Sequence, residues 1–150
     1  MSNEMMDALV NKTIKINRGG PESKSGKLLA VQDDYLVLLT KEDGVVYFKN
    51  QHIKSISENV KGGKNNDSNM LYTLDYMTPR HFNGLISDLK YQWVKINRGG
   101  PEKVEGVLYE INGDYVTVIS NEEIVRMAMY HIRSLSYGVK PEKTEEESSS

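Results

Sequence analysis

The sequence predicts a mainly β fold of two tandem, small, five-stranded barrels, each preceded by a short helix. Three observations carry this reading. First, Lys15-Ile16-Asn17-Arg18-Gly19-Gly20-Pro21-Glu22 returns letter for letter as Lys95-Ile96-Asn97-Arg98-Gly99-Gly100-Pro101-Glu102, 80 positions later. Second, the match continues at that offset through Gly26 and Gly106, Leu28 and Leu108, and Asp34-Tyr35 and Asp114-Tyr115. Third, His52-Ile53-Lys54-Ser55-Ile56-Ser57 answers His131-Ile132-Arg133-Ser134-Leu135-Ser136 at an offset of 79, so one residue is lost between the blocks. A turn absorbs such a change best, and Glu42-Asp43-Gly44 is the turn available. So long a period in only two copies points to duplicated domains rather than a solenoid.

The first copy opens with a short helix through Met5, Met6, Leu9 and Val10. Thr13 to Ile16 alternates polar and apolar residues, Gly26 to Val31 forms a second run and Tyr35 to Leu39 a third, which reads as three strands. Val45 to Phe48 follows the Glu42-Asp43-Gly44 turn, and Ile53 and Ile56 anchor a short last strand. Before the second copy, Thr78-Pro79-Arg80 sets a capping residue ahead of a proline suited to a first helical turn. His81 to Tyr91 then reads as helix, with Phe82, Leu85, Ile86 and Leu89 forming one apolar stripe. The strands recur as Trp93 to Ile96, Gly106 to Ile111, Tyr115 to Ile119, Ile124 to Met129 and His131 to Leu135.

Short, bent strands with the last two close together follow the plan of an Sm-like or SH3-like barrel. Gly26 and Gly106 fall where a strand of such a barrel bends sharply. The expected divisions are 1–59 for the first copy with its helix, 60–77 for a polar, glycine-rich linker, 78–138 for the second copy with its helix, and 139–150 for a disordered acidic Ser tail. Met70 to Tyr76 is expected to be extended.

Each copy spans about 60 residues, a size at which a lone core is marginal, so the copies are expected to pack together. A formal net charge of −2 and the lack of a long Lys/Arg block argue against nucleic acid as a partner. The chain has no cysteine, which removes disulfides, thiolate metal sites and thiol nucleophiles. Its first residues, Met1-Ser2-Asn3-Glu4-Met5-Met6-Asp7, are acidic where a secretory signal is basic, and no apolar run approaches the roughly 20 residues that span a bilayer. A cytosolic origin without membrane insertion is therefore expected.

The repeated Asn17, Arg18, Gly19, Gly20, Pro21 and Glu22, with Asn97, Arg98, Gly99, Gly100, Pro101 and Glu102, are the first candidate contact residues. Paired glycines and a proline make a structural turn. Alternatively, successive glycine N–H groups with Arg18 or Arg98 make an anion cradle, which Glu22 and Glu102 oppose. A third reading pairs Arg18 or Arg98 with a carboxylate of a neighbouring barrel, which the sequence does not name. Val45, Val46, Tyr47 and Phe48, and Ile124, Val125, Arg126 and Met127, form the second candidate set: edge strands able to pair with a neighbour. One edge is expected to serve within the chain and the other to be left free.

His52 and His131 occupy equivalent places, yet neither has the partner spacing of a metal or acid–base site, so a local hydrogen bond is expected. His81 is less distinctive. Tyr35 and Tyr115 have the shape to stack on bases but equally to fill a core, and Asp33-Asp34 and Asp114 oppose phosphate. The sequence carries no nucleophile elbow, phosphate loop or nucleotide fingerprint, so neither cofactor nor catalysis is expected. Ser148-Ser149-Ser150 offers an exposed place for phosphorylation, although a solvated tail also accounts for it.

The doubled Asn-Arg-Gly-Gly-Pro-Glu, the following Gly26 and Gly106, the closing His-Ile-Lys/Arg-Ser-Ile/Leu-Ser blocks and Lys41 to Phe48 together resemble the spore coat protein B family of Bacillus-type endospore formers. The resemblance runs from the first helix to about Gly138. It implies a structural, non-enzymatic component of the outer spore coat, made in the mother-cell cytoplasm. Its implied partners are other coat proteins, with self-association also expected. Longer members carry a Ser-, Lys- and Arg-rich C-terminal extension, whereas this chain ends in a short acidic Ser tail. An Sm-like RNA-binding protein of the sporulating cell is the alternative.

Overall fold

The computed structural model describes residues 1–60 and 75–137. Helix α1 (Asn3–Asp7) precedes strands β1 (Thr13–Ile16), β2 (Lys24–Val31), β3 (Tyr35–Thr40), β4 (Gly44–Lys49) and β5 (Ile56–Ser57). Helix α2 (Phe82–Asp88) precedes β6 (Trp93–Ile96), β7 (Val104–Ile111), β8 (Tyr115–Ser120), β9 (Glu123–Ala128) and β10 (Ser134–Tyr137). All the described strands join one ten-stranded antiparallel sheet in the order β5-β1-β2-β3-β4-β10-β6-β7-β8-β9. The pattern β5-β1-β2-β3-β4 is thus repeated as β10-β6-β7-β8-β9. The ladder does not show the expected pair of small five-stranded barrels: the sheet is open and continuous, and β4 meets β10 of the other copy, with Phe48 opposite Ser134 and Tyr47 opposite Leu135.

Glycine lets the strands bend and cross closely at the same point in both copies. A Cβ on Gly26 would lie 2.2 Å from the Leu39 carbonyl oxygen, and one on Gly106 would lie 2.2 Å from that of Ile119. Just beyond, the pairing register slips between Leu28 and Ala30 and again between Leu108 and Glu110. The lost residue sits in the β3–β4 hairpin, since three residues separate paired Thr40 and Gly44 but only two separate Ser120 and Glu123. Gly44 (φ 70°) and Asn121 (φ 55°) supply the left-handed conformation that each turn requires.

Two apolar cores result. Met6 and Leu9 close one with Ile14, Ile16, Leu28, Leu36, Leu38, Val46 and Phe48, all from the first copy. The other holds Phe82, Leu85, Ile86 and Leu89 with the apolar strands of the second copy, and also takes in Tyr35, Val37 and Tyr47. Strands β3 and β4 are therefore apolar on both faces, which explains why Tyr35 to Leu39 does not alternate.

Local corrections have local causes. Helix α2 starts at Phe82 and ends at Asp88, short of the expected His81 to Tyr91, because His81 is extended and Tyr91 is left-handed (φ 74°). Thr78 is not its cap. The Phe82 N–H instead donates to Asp34 Oδ1 at 2.8 Å, a capping carboxylate from the other copy. The last strands start later than expected, since Asn50–His52 and Met129–His131 are 3₁₀ turns. The expected extended stretch at Met70 lies largely outside the described residues, as do most of the linker and the tail 139–150.

Candidate functional site

Each repeated octapeptide connects the first two strands of its copy, and its asparagine builds the turn. Asn17 (φ 62°) and Asn97 (φ 54°) are left-handed, a conformation asparagine tolerates better than most residues. Asn17 Oδ1 accepts from the Lys54 N–H at 2.8 Å, and Asn97 Oδ1 accepts from the Arg133 N–H at 2.6 Å. Asn97 Nδ2 also donates to the His131 carbonyl at 3.0 Å. These bonds tie the motif to the segment leading into the last strand of its own copy.

The remaining motif residues differ in what they meet. Arg98 Nη2 lies 3.5 Å from Asp43 Oδ1, and Lys24 Nζ lies 3.9 Å from Asp43 Oδ2. The Asp43 side chain is only 5% exposed. Glu22 Oε2 takes the Arg133 guanidinium at 2.8 Å. Gly99 (φ 96°) approaches so closely that an added Cβ would sit 2.3 Å from the Pro21 carbonyl oxygen. Arg98, Gly99 and Gly100 of motif two thus lie at the junction between copies, where the two glycines meet Pro21 and Glu22 of motif one, whereas Arg18, Gly19 and Gly20 are exposed. A Cβ on Gly19 or Gly20 would meet nothing within 4 Å.

The junction continues along β4 and β10. The Lys49 N–H donates to the Arg133 carbonyl at 3.0 Å, and buried Lys49 Nζ donates to the Met129 carbonyl at 2.9 Å while lying 5.3 Å from the Phe82 ring centre. Burial pushes the Lys49 ammonium pKa down, partly opposed by Asp34. His52 Nε2 lies 2.8 Å from the Tyr130 carbonyl, so this bond spans the copies rather than staying local. Burial lowers the His52 pKa, and Lys49, Arg133 and His131 lower it further against the Tyr130 bond. His81 lies 3.2 Å from Asp33. Within the described residues no group of three or more His, Asp or Glu side chains is arranged to hold a metal ion.

Three phenols seal the way into α2. The Tyr35 hydroxyl donates to the Pro79 carbonyl, the Tyr47 hydroxyl donates to that of Met77 at 2.7 Å, and the Met77 N–H donates to the Tyr137 hydroxyl at 3.2 Å. Burial raises the Tyr35 pKa to about 12 and pushes Tyr47 up further. Tyr35 is fully buried and has no face left for a base; Tyr115 is half-buried.

Sequence reasoning missed Asp43, Lys49 and Arg133 as junction residues. The signal for Asp43 lay in the longer hairpin, which lifts a carboxylate toward the other copy. Of the candidate edges, β4 is occupied by β10, while β9 pairs with β8 and has no outer partner among the described residues. Ile124 on β9 is 60% exposed. No described helix is long and apolar enough to cross a membrane.

No family model matches this chain, and no solved structure does. Spore coat protein B of Bacillus subtilis (strain 168) is 40% identical over 146 residues, which cover 91% of this chain and 38% of that protein. The chain thus spans well under half the length of that relative. On that identity, this chain is a relative of spore coat protein B.

Proposed function

We propose that this chain is a structural, non-enzymatic component of the spore coat that acts in coat assembly through protein–protein contacts. Each copy serves as a five-stranded Sm-like unit, a reading supported by the strand order recurring in both halves of the sheet. The relation to a protein named for the spore coat supports that location. Its partners are other coat proteins and further copies of itself. The observation that carries the proposal is the unequal use of one octapeptide: Arg98, Gly99 and Gly100 of the second copy lie in a contact between copies, while Arg18, Gly19 and Gly20 of the first are exposed.

The test is to follow a tagged chain in sporulating cells and extract the coat. Recovery in the coat fraction, with purified protein that captures coat proteins, is the expected result. A chain that stays in the mother-cell cytosol overturns the proposal. Tight RNA binding with the steep salt dependence of phosphate contacts would favour the RNA-binding alternative instead.

A further inference from the structure

The internal junction is a template with two halves left unused among the described residues. One end of the sheet presents β5 and motif one, counterparts of β10 and motif two; the other end presents β9, the counterpart of β4. Matching ladders fix the equivalence. Ile56 pairs with Ile16 as Leu135 pairs with Ile96, and Met127 faces Val116 as Phe48 faces Leu36. Carried across, the Phe48–Ser134 and Tyr47–Leu135 pairs of the junction become Met127–Ser55 and Arg126–Ile56 between two chains.

The charges at these counterpart positions keep their signs. Arg98 against Asp43 becomes Arg18 against Glu122, and Arg133 against Glu22 becomes Lys54 against Glu102. All four substitutes are exposed. Two apolar side chains are exposed at the same ends: Met5 (42%) stands where the second copy buries Leu85, and Ile124 (60%) stands where the first packs Val45 against the core. Gly19 and Gly20, with open space around them, match the glycines whose close approach the junction requires.

We propose that a second copy of this chain docks head to tail, its β5 end with Arg18 and Lys54 on the β9 end with Glu122 and Glu102, in the register of the internal junction. This deepens the coat-assembly reading and rests on it. The contact is heterologous, so it continues from chain to chain unless its rotation closes a ring. It is also weaker than the internal one, because Val104 replaces Lys24, Ala128 replaces Lys49, and Arg126 replaces Tyr47.

The test measures the molar mass of the full chain over a concentration series, for wild type, Arg18→Glu/Lys54→Glu and Glu102→Lys/Glu122→Lys. Wild type should grow in mass, and each variant alone should associate about a hundredfold more weakly because like charges then meet. An equimolar mixture should regain growth, since the altered ends complement each other. Unchanged far-ultraviolet circular dichroism establishes that the variants fold. A wild type that stays monomeric, a variant that assembles alone as well as wild type, or a mixture that is not rescued overturns the proposal. A chain found in the coat but monomeric in solution overturns the docking alone; one that assembles in solution but is absent from the coat overturns the coat role alone.

Discussion

Residues 15–22 and 95–102 are identical in sequence yet live in different surroundings. Gly20 is the left-handed glycine of the first octapeptide (φ 92°), whereas Gly99 takes that role in the second (φ 96°). Asn97 is buried at 1% exposure, while Asn17 is half-buried. The two glycines allow more than one turn at comparable local cost, and the neighbour across the junction selects which forms. An octapeptide with two solutions suits a surface that is sometimes covered and sometimes free.

Substitutions at matched positions break or sharpen that comparison. Gly99→Ala should cost about 4 kcal/mol, since strain at positive φ adds to collision with the Pro21 carbonyl, while Gly19→Ala should stay within about 0.5 kcal/mol. Denaturant unfolding of the two variants measures the gap, and equal costs would show that the junction does not distinguish the motifs. Asn97→Ala comes next at about 3 kcal/mol, against about 1.5 for Asn17→Ala, because only Asn97 is fully buried with a bonded amide nitrogen. Asp43→Ala should lose about 1.5 kcal/mol and Glu122→Ala next to nothing, because among the described residues Asp43 has cations within reach and Glu122 pairs with none.

The smallest effect is one of pH. The folded-state pKa of His52 lies below its ordinary 6.5, so the unfolded chain takes up the proton first. Stability should therefore fall as pH drops through 6.5 toward the folded value, with the loss complete below it. Thermal unfolding of wild type and His52→Gln on both sides of that pH should show a steeper acid loss in wild type; parallel curves would remove His52 from the junction's pH response.

The repeat made strand number, strand order and the place of the one-residue change legible, because each copy confirmed the other's register. What the sequence left open was which copy covers which edge, since that depends on pairing between residues far apart in the chain. Side chains did carry a faint signal. Val37 and Tyr47 point outward from the first copy's core and are apolar, whereas their counterparts Thr117 and Arg126 are polar. Comparing the outward faces of the two copies marks β4 as the covered edge and β9 as the bare one. The cap on α2 was illegible for a related reason, as Asp34 reaches it across 48 residues.

Those same outward side chains set an order of dependence between the halves. Among the described residues the first copy's core draws on none beyond Ile56, so it is expected to be complete before the rest of the chain exists. The second copy's core borrows Tyr35, Val37 and Tyr47, and its helix borrows a cap from Asp34. During synthesis, the half that emerges first is the self-sufficient one, and it presents a finished surface on which the later half condenses. The direction of translation thus runs with the direction of folding, and a chain with its halves exchanged would have to wait for its foundation.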